Sequence, residues 1–428
     1  MGIRLTKVLL SEGQIIDQEI ESIEKIIENV KKQREWLHSQ IIDDLLDFFE
    51  KLGKYWAETF SNEIGINSKH LISFLSKKNL GKKLEIALRG NRNVLEKFVD
   101  LSDPDLIFHA QPRGIVAHWI AGNVEILGIF SVIQAIITKN VSIIKAPSNY
   151  KLLLKLIKSI EKINTEKILG CDLIRCIEII YVDRNDIDNQ KKLSENVDVR
   201  IAWGGEEAVK SILSLPKSPF CEDIIYGPKY SYAIIDQSSL LKNSEKIAQK
   251  IAMDVSMFDQ YACSSPHTVF IESNEDNIIE NFAQKIAKSL NDVNRILIPK
   301  KEISPSKALE ILDIRTEFEL KGEVIASKGT EWTVIVSNEK NLARPIFSRV
   351  IHVRKLDREK LLKENSTRKI QTIAIVMEKE KRYQIIDDLT LFGGDRCPNV
   401  GNMSLFDSPW DGIFGMDKMV RWITTYKS

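Results

Sequence analysis

Apolar residues recur at helical spacing in the first part of the chain, between residues 12 and 60. They fall into two runs, namely Ile15, Ile16, Ile20, Ile23, Ile26, Ile27 and Val30, then Leu37, Ile41, Ile42, Leu45, Leu46 and Phe49. Residues three and four positions apart share one face of a helix, so this spacing predicts a helical N-terminal arm. Such an apolar stripe is mainly a burial signal, which favours a role for the arm in packing and assembly rather than in chemistry.

The pattern changes between residues 114 and 236, where short β-branched runs alternate with amphipathic stretches. The predicted strands are residues 114–118, 141–145, 176–182, 199–203 and 231–235, with helices at 124–138 and 150–163. Strands that alternate with helices indicate βαβ units and a parallel sheet. Ligands of such sheets bind at the carboxyl ends of the strands, where the loops lead into helices.

A second block of alternating strands and helices extends from about residue 244 to 377. Its predicted strands are residues 268–272, 295–298, 332–336, 350–353 and 372–377. The segment GGDRCPNVGNMSLFDSPWDG is rich in turn residues and predicts a loop, followed by a short helix that ends near Trp422. The chain is therefore predicted to be an α/β protein with two α/β domains and an N-terminal helical arm.

Composition and charge argue against several classes of function. The 428 residues include 61 Lys and Arg against 60 Asp and Glu, which leaves no net field to attract nucleic acid or an anionic membrane. Residues 114–138 are largely apolar and about long enough to span a bilayer, but they include His118, Asn123, Glu125 and Gln134. These polar groups favour a buried strand, a turn and a helix over a membrane span.

The cysteines indicate the compartment. The five are Cys171, Cys176, Cys221, Cys263 and Cys397, and no two form a CxxC pair. The sequence therefore predicts neither a disulfide framework nor a metal site, and reduced thiols are the simpler interpretation. The apolar stretch near the N-terminus is far too short for a secretory signal, so we expect a cytoplasmic protein.

The sharpest local signal for chemistry is FDQYACSSP, which contains Cys263 and directly precedes the predicted strand HTVFIE. A cysteine in a polar loop can be partly exposed, and nearby backbone N–H groups can stabilise its thiolate. The alternative for any free cysteine is a small buried apolar residue. A second signal is Asn123, between a strand and a helix, whose amide can point at a developing oxyanion. Lys145 ends the next predicted strand, where it can bind cofactor hydroxyls or phosphate.

Taken in order, Asn123, Lys145, the pair Gly204 and Gly205, and Cys263 resemble the aldehyde dehydrogenase superfamily. The motifs HWIAGN, AWGGEEAV, YGPKYS, DQYACSSP and GGDR…WDG are more closely similar to the LuxC-type long-chain acyl-CoA reductases, the fatty-acid reductases of bacterial bioluminescence. The resemblance covers about residues 60–425 and implies an aldehyde-dehydrogenase-like fold. The predicted divisions are a helical arm (1–65), a nucleotide-binding α/β domain (66–240), a catalytic α/β domain (241–395) and a C-terminal segment (396–428) that packs on the nucleotide-binding domain or forms an oligomer interface.

The resemblance implies roles for individual residues. Cys263 matches the nucleophile, Asn123 the oxyanion-hole amide, and Lys145 the lysine that contacts the adenosine ribose. Gly204 and Gly205 match the loop under the cofactor pyrophosphate, where the lack of a side chain permits close approach. The chain has no GxGxxG motif, so an ordinary dinucleotide fingerprint is not predicted.

Departures from the superfamily pattern bear on the reaction. Hydrolytic members carry a glutamate that activates water, whereas Ile225 stands at the matching position and cannot act as a base. This favours reduction of a thioester over oxidation to a free acid. NAD-preferring relatives have a glutamate where this chain has Ser148, and Ser148 with Lys145 leaves room and charge for a 2′-phosphate. NADPH is therefore the favoured cofactor, with NADH as the alternative. The glutamate motif that holds the nicotinamide ribose is replaced at residues 344–348, so that contact is not assigned.

Three further residues have two interpretations each. His267 could act as a base, but its place at the start of a strand favours a structural histidine. His118 lies near Asn123 in sequence, and lining the site is the less favoured of its two roles. Arg396 could contact a carboxylate or phosphate, or it could fix a turn through its fork of donors.

The predicted reaction is the NAD(P)H-dependent reduction of a fatty-acyl thioester, on CoA or on a protein, to an aldehyde through an acyl-cysteine intermediate. The alternatives are a CoA-acylating aldehyde dehydrogenase for short aldehydes and a non-catalytic scaffold subunit of an acyl-transfer complex. The resemblance also implies an acyl-protein synthetase as a possible partner and a homo-oligomer. Nucleic acid and a membrane span are not expected.

Overall fold

The computed structural model describes residues 6–20, 22–66, 68–122, 125–367 and 369–427. The chain divides into two compact units. The first unit contains residues 1–63, 68–227 and 406–428, and the second contains residues 64–67 and 228–405. Residues 228–240 thus lie with the second unit, although the sequence pattern places them with the first.

Strands and helices alternate along most of the described chain. The strands are β1 (Thr6–Ser11), β2 (Gln14–Glu19), β3 (Leu106–Pro112), β4 (Ile115–Trp119), β5 (Val141–Lys145), β6 (Ile177–Val182), β7 (Val199–Trp203), β8 (Glu222–Tyr226), β9 (Tyr230–Asp236), β10 (Thr268–Glu272), β11 (Gly322–Ala326), β12 (Thr333–Ser337), β13 (Val350–Lys355), β14 (Ile370–Val376) and β15 (Val420–Tyr426). The α-helices are α1 (Ile23–Lys31), α2 (Arg34–Ser39), α3 (Ile42–Thr59), α4 (Ser61–Ile64), α5 (Ser68–Leu75), α6 (Lys77–Ala87), α7 (Glu125–Ile137), α8 (Lys151–Lys158), α9 (Gly170–Leu173), α10 (Ile187–Glu195), α11 (Glu206–Leu213), α12 (Gln237–Ser256), α13 (Asp276–Ile296), α14 (Pro305–Glu319), α15 (Arg358–Thr367), α16 (Lys379–Thr390) and α17 (Gly415–Lys418). Short 3-10 turns lie at Arg92–Leu95, Ser159–Lys162, Ile174–Cys176 and Met257–Gln260.

The first unit is built on a seven-stranded sheet with the order β2-β1-β6-β5-β4-β7-β8. The five strands from β6 to β8 are parallel, as predicted, and β1 is antiparallel to both of its neighbours. Strands β4 and β7 are buried along their whole length, which is expected of a sheet covered on both faces. The chain runs from β4 out to β5 and β6 and then returns to β7 on the other side of β4. The carboxyl ends of β4 and β7 are therefore a topological switch point, where such sheets bind ligands.

The predicted helical arm is wrong at its start, because Gln14–Glu19 forms the exposed strand β2. Glu12 and Gly13 adopt left-handed φ angles of 48° and 79°, and they turn the chain back onto β1. Strand β1 is held by β6, which is distant in sequence, so local spacing cannot reveal this pairing. The helical pattern is confirmed from Ile23 onward, where α1, α2 and α3 follow one another and Ser22 caps α1.

The second unit is built on a six-stranded sheet with the order β11-β12-β13-β10-β9-β14. All neighbours are parallel except β11 and β12. Strand β9, which the sequence pattern places in the first block, belongs here because it pairs with β10 and β14. The predicted strand at 295–298 is wrong, because α13 continues to Ile296 with its buried residues at helical spacing through Val293.

The C-terminal end differs from its prediction because it pairs with a strand that is distant in sequence. The short helix near the end of the chain is α17, and Val420–Tyr426 forms strand β15 instead of continuing it. Strand β15 pairs antiparallel with β3, from Val420 opposite Pro112 to Tyr426 opposite Leu106. This partner lies more than 300 positions earlier, so backbone pairing across the first unit outweighs the local pattern.

The apolar stretch at 114–138 forms strand β4 and helix α7, and every residue of α7 is buried. Within the ranges that the structure describes, no helix is long and apolar enough to cross a membrane.

Candidate active site

Cys263 lies in a loop of the second unit that leads into the amino end of β10. The 3-10 turn before it contains three consecutive residues with left-handed backbone, since φ is 55° at Phe258, 49° at Asp259 and 68° at Gln260. Residues other than glycine seldom adopt this conformation, which costs about 1–2 kcal/mol each. Contacts of the turn must therefore offset the cost.

Asp259 and Gln260 supply those contacts. The buried guanidinium of Arg349 donates from Nε to Asp259 Oδ1 at 2.7 Å, and its Nη2 lies 2.6 Å from the same oxygen as an ion pair. Gln260 Nε2 donates to the carbonyls of Pro266 and Val350, at 2.8 and 2.9 Å. Gln260 Oε1 accepts from the backbone N–H of Val350 at 2.9 Å. One buried amide thus fixes both ends of the loop at 261–266 to the start of β13.

The Cys263 side chain is half-buried and has a hydrogen-bond donor at its sulfur. Gln371 Nε2 donates to Cys263 Sγ at 3.1 Å, and the Ser231 hydroxyl donates to the Cys263 carbonyl at 2.7 Å. Gln371 is fully buried at the start of β14. A donor at the sulfur stabilises the thiolate, which is the nucleophilic form of cysteine. This arrangement suits Cys263 to attack on an acyl carbon.

Motifs around Cys263 do not reveal Gln371. The available signal is a single glutamine in the mostly apolar strand sequence IQTIAIV, because a buried amide needs hydrogen-bond partners. Which partner it finds depends on the pairing of β14 with β9, which no local pattern predicts.

Three of the other cysteines lie in environments that disfavour a thiolate. Burial raises the pKa of Cys176, and it raises the pKa of Cys221 and of Cys397 to about 11. Cys171 is exposed in the short helix α9 of the first unit. None of these four lies in a loop at the amino end of a strand of the second sheet, as Cys263 does.

The two histidines near the motifs are structural. His267 is buried between the rings of Tyr230 and Phe347, and burial lowers its pKa to about 3. His118 is buried in β4, with its ring nitrogens 3.0 Å from Ser131 Oγ and 3.2 Å from Ser142 Oγ, and its pKa is likewise lowered to about 3. With pKa values this low, both rings are weak bases at physiological pH and are therefore poor candidates for a general base.

The residues expected to bind the cofactor share the carboxyl edge of the first sheet. Lys145 ends β5, and Ser148 is exposed in the loop that follows. Burial lowers the pKa of Lys145, while the charge of Asp183 at the end of β6 opposes that shift. Gly204 follows β7, and Gly205 is the N-cap of α11, where an added Cβ would meet no atom within 4 Å. The chain can therefore be approached closely at Gly205.

Asn123 lies outside the described residues, which resume at Glu125. Asn149 Nδ2 donates to the Gly122 carbonyl at 2.8 Å and to Glu125 Oε1 at 3.1 Å. Glu125 Oε2 also accepts from the backbone N–H of Leu153 at 2.7 Å. These contacts tie the loop after β4 to the loop after β5, on the edge that carries Lys145.

Two further predicted residues have clear surroundings. Ile225 is a half-buried apolar residue of β8, and no acid replaces it at that position. Arg396 donates to the carbonyls of Met403 and Leu405 at 3.0 and 2.9 Å, and to Thr372 Oγ1 at 3.2 Å. Of its two interpretations, Arg396 therefore fixes the turn.

Comparison with known proteins identifies relatives of the chain. Residues 23–422 match the family model described as acyl-CoA reductase (LuxC). A long-chain acyl-protein thioester reductase of Aliivibrio fischeri is 28% identical over 342 residues, which cover 78% of this chain and 68% of that protein. The long-chain acyl-protein thioester reductase 2 of Photobacterium leiognathi is 26% identical over 406 residues, covering 90% of this chain and 82% of that protein.

The fold also has relatives among solved structures. An aldehyde dehydrogenase of Physcomitrella patens in complex with succinate superposes with a TM-score of 0.66, at 16% identity, over 100% of this chain and 96% of that chain. The predicted aldehyde-dehydrogenase-like fold is confirmed.

Proposed function

The chain belongs to the LuxC family of acyl-CoA reductases and reduces an acyl thioester to an aldehyde, and we propose that Cys263 carries the acyl group in this reaction. The observation that carries the proposal is the 3.1 Å contact between Gln371 Nε2 and Cys263 Sγ. The donor is buried, and the loop that bears the cysteine is fixed at both ends. A thiolate that is both stabilised and half-exposed has the properties of an acyl-carrying nucleophile.

In the first step the Cys263 thiolate attacks the carbonyl carbon of the thioester, and the electron pair of the C=O bond moves to oxygen. The oxyanion then collapses, the bond between carbon and the carrier sulfur breaks, and the carrier thiolate leaves and takes up a proton. We assign the oxyanion hole to the Asn123 side-chain amide and the Cys263 backbone N–H. Support for both groups comes from the motifs that contain Asn123 and Cys263 and from the family.

The carboxyl edge of the first sheet fits a nicotinamide dinucleotide. Gly205 leaves room for a pyrophosphate, and Lys145 offers a partly desolvated ammonium on the same edge. When bound, the reduced nicotinamide supplies a hydride to the acyl carbon on Cys263. The carbon–sulfur bond of the resulting hemithioacetal then breaks, so that Cys263 leaves as a thiolate and the aldehyde is released. Gln371 stabilises the Cys263 thiolate when it leaves, as it does before the thiolate attacks the thioester.

We further propose that the cofactor is NADPH, because Lys145 and Ser148 flank one loop and can together bind a 2′-phosphate. The carboxylate of Asp183 would favour a free ribose hydroxyl, and it is the feature that supports NADH. Initial rates with both cofactors should favour NADPH. Ser148→Glu should lower kcat/KM for NADPH by about tenfold or more through charge repulsion and affect NADH little. A wild-type preference for NADH would contradict this part of the proposal.

The proposed acyl donor is a long-chain acyl thioester, carried by CoA or by a protein, because two relatives are named for long-chain acyl-protein thioesters. An acyl-protein synthetase as partner, a homo-oligomer and a cytoplasmic location belong to the same proposal. Rates of aldehyde formation from short-chain and long-chain acyl-CoA test the donor. Faster turnover of the short chains would instead favour a CoA-acylating aldehyde dehydrogenase.

The experiment that tests the nucleophile uses acyl-CoA with a radioactive acyl group. Without cofactor, the protein should retain label after denaturation, and addition of NADPH should release the label as aldehyde. Cys263→Ser should abolish both labelling and aldehyde formation, because a serine hydroxyl does not ionise usefully near neutral pH. The matched control is Cys397→Ser, which should keep both. Label on the Cys263→Ser variant would place the nucleophile elsewhere, and labelling without aldehyde would favour the scaffold alternative.

A further inference from the structure

A cleft of about 430 Å³ lies on the first unit, where α2, β3, β15 and the turn before β5 meet. We call it the amino-edge cleft, because Lys139 stands just before the amino end of β5. It is thus at the opposite edge of the sheet from Lys145 and Gly205. Its lining comprises Lys31, Arg34, Glu35, His38, Gln111, Pro112, Lys139 and Arg421.

The lining has an unbalanced charge. Its permanent charges are four cations, namely Lys31, Arg34, Lys139 and Arg421, against the carboxylate of Glu35. Within the described ranges, the side chains of Lys31, Arg34 and Arg421 form no hydrogen bond or ion pair. Asp198 lies near Arg34, since a Cβ added at Gly114 would lie 2.3 Å from Asp198 Oδ2 and 2.9 Å from Arg34 Nη2, and Asp198 Oδ2 also accepts from the Ile115 backbone N–H at 2.8 Å. The cations of the lining outnumber the carboxylates of Glu35 and the nearby Asp198, so the cleft has a net positive charge that favours an anionic ligand.

Lys139 adds two independent costs. The residue is 5% exposed, its Nζ donates to the His38 carbonyl at 3.0 Å, and burial lowers its pKa against the opposing charge of Glu96. The residue also has φ of 62°, at the turn that ends α7, where the Asn140 N–H bonds to the Ala135 carbonyl. That position favours glycine. Glycine would remove both the backbone cost and the desolvated charge, so the presence of lysine points to a use for the ammonium.

We propose that the amino-edge cleft binds a small molecule that bears a phosphate group, at a site separate from the reaction site. Two guanidinium groups can each bind a pair of phosphate oxygens, and the Lys139 ammonium has donors beyond the one that His38 uses. The volume exceeds that of a single phosphate and lies in the range of small-molecule sites, so the ligand carries further atoms. An acidic protein segment is the competing occupant. The deep burial of Lys139 favours the smaller ligand, because a protein surface contacts mainly exposed side chains.

Calorimetric titration with inorganic pyrophosphate tests the proposal on the full chain. The cleft variants are Lys139→Met and Arg34→Gln, and Lys82→Met is the matched control at an exposed lysine of α6 outside the cleft. Lys145→Met removes the competing anion site at the cofactor edge. We expect affinity to fall by about tenfold or more in both cleft variants, and binding to persist in Lys82→Met and Lys145→Met. Arg34 is only half-buried, so Arg34→Gln keeps the test valid if Lys139→Met does not fold.

Three outcomes would overturn the assignment. Equal pyrophosphate affinity in all variants, or loss in Lys145→Met alone, would show that the cleft binds no phosphate. Binding of poly-glutamate but not of pyrophosphate, abolished by Arg34→Gln, would assign the cleft to an acidic protein segment instead. Tighter binding of adenosine diphosphate than of pyrophosphate, lost in the cleft variants but not in Lys145→Met, would support the proposal and identify the ligand as a nucleotide.

Discussion

Replacing Gln371 with leucine removes the donor at Cys263 Sγ while leaving a side chain of similar size at the buried start of β14. A hydrogen bond to a charged acceptor contributes about 1.5–3 kcal/mol, and about 1.4 kcal/mol corresponds to a factor of ten. The donor stabilises the Cys263 thiolate more than the neutral thiol, so its loss shifts ionisation of the thiol to higher pH. The population of Cys263 thiolate at neutral pH should therefore fall by about 10- to 100-fold.

The assay is the rate of alkylation of Cys263 by iodoacetamide as a function of pH. In Gln371→Leu we expect the midpoint of the profile to move to higher pH, with a similar rate at the alkaline plateau, because the thiolate itself remains reactive. Turnover near pH 7 should fall by about 10- to 100-fold and recover as the pH is raised. A midpoint that is the same in Gln371→Leu and in wild type would refute the role of the amide.

Ser231→Ala is the matched control for this experiment. It removes the hydroxyl that donates to the Cys263 carbonyl, and it leaves the donor at the sulfur in place. We expect a lower thermal stability and an unchanged alkylation midpoint. A shift as large as that of Gln371→Leu would show that the loop, and not the amide, controls the thiol.

The remaining predictions concern water activation and pH. Ile225→Glu should raise the ratio of free fatty acid to aldehyde, because a carboxylate at the predicted position lets water compete for the acyl-enzyme; a folded variant with an unchanged ratio would exclude Ile225 from the site. Burial raises the pKa of Glu178 from 4.5 to about 7, so the folded protein keeps a proton that the unfolded chain releases, and stability is lost as the pH rises from about 4.5 to 7. Glu178→Gln should reduce this loss of stability by up to about 3 kcal/mol, measured by urea unfolding at about pH 4.5 and pH 7. The pKa of Asp254 is likewise raised to about 7, so this residue accounts for part of the pH dependence of stability that remains. An equally steep loss in Glu178→Gln would assign the pH dependence to other groups.

Much of the fold follows from local patterns because most of its elements bury a face of their own. The runs of β4, β5 and β7 are mostly apolar and bounded by turns, and they form strands where the sequence predicts them. The exceptions depend on pairing with remote strands. Ile15 and Ile16 fit the helical spacing of the sequence, but in the structure they belong to β2. That strand forms because β1 pairs with β6 and offers its free edge to β2. The C-terminal end is a strand because β3 offers it a partner.

Some residues of the candidate site can likewise be predicted from local sequence patterns, and others cannot. Cys263, Lys145 and the glycine pair stand out because each occupies a characteristic point between a strand and a helix or at the end of a strand. Gln371 does not, since its role depends on a contact between residues 108 positions apart. The partners that hold the loop, Asp259 and Arg349, are 90 positions apart and are visible only in three dimensions.

Two short left-handed segments face each other beside Cys263. The first is the turn at 258–260, and the second is at 347–349, where φ is 62°, 53° and 64°. The Ser348 backbone N–H donates to the Asp259 carbonyl at 3.0 Å, and the Asp259 carboxylate pairs with the Arg349 guanidinium. Lys300 Nζ donates to the Ser348 carbonyl at 3.0 Å, and burial lowers the pKa of Lys300 to about 8. The carboxylate of Asp259 thus interacts with the buried Arg349 and with the charge of the half-buried Lys300, and it holds two strained segments together.

Asp259→Asn should therefore be strongly destabilising although it preserves the shape of the side chain. It leaves the fully buried Arg349 and the nearby Lys300 without the negative charge that faces them, and breaking a buried pair from one side costs about 3–5 kcal/mol. The free energy of unfolding in urea measures this loss. The double variant Asp259→Leu with Arg349→Met removes both charges and should be more stable than Asp259→Asn, because no unpaired guanidinium remains buried. If the single variant is as stable as wild type, the ion pair does not offset the strain of the two segments, and the other contacts, those of Gln260 among them, hold the loop that carries Cys263.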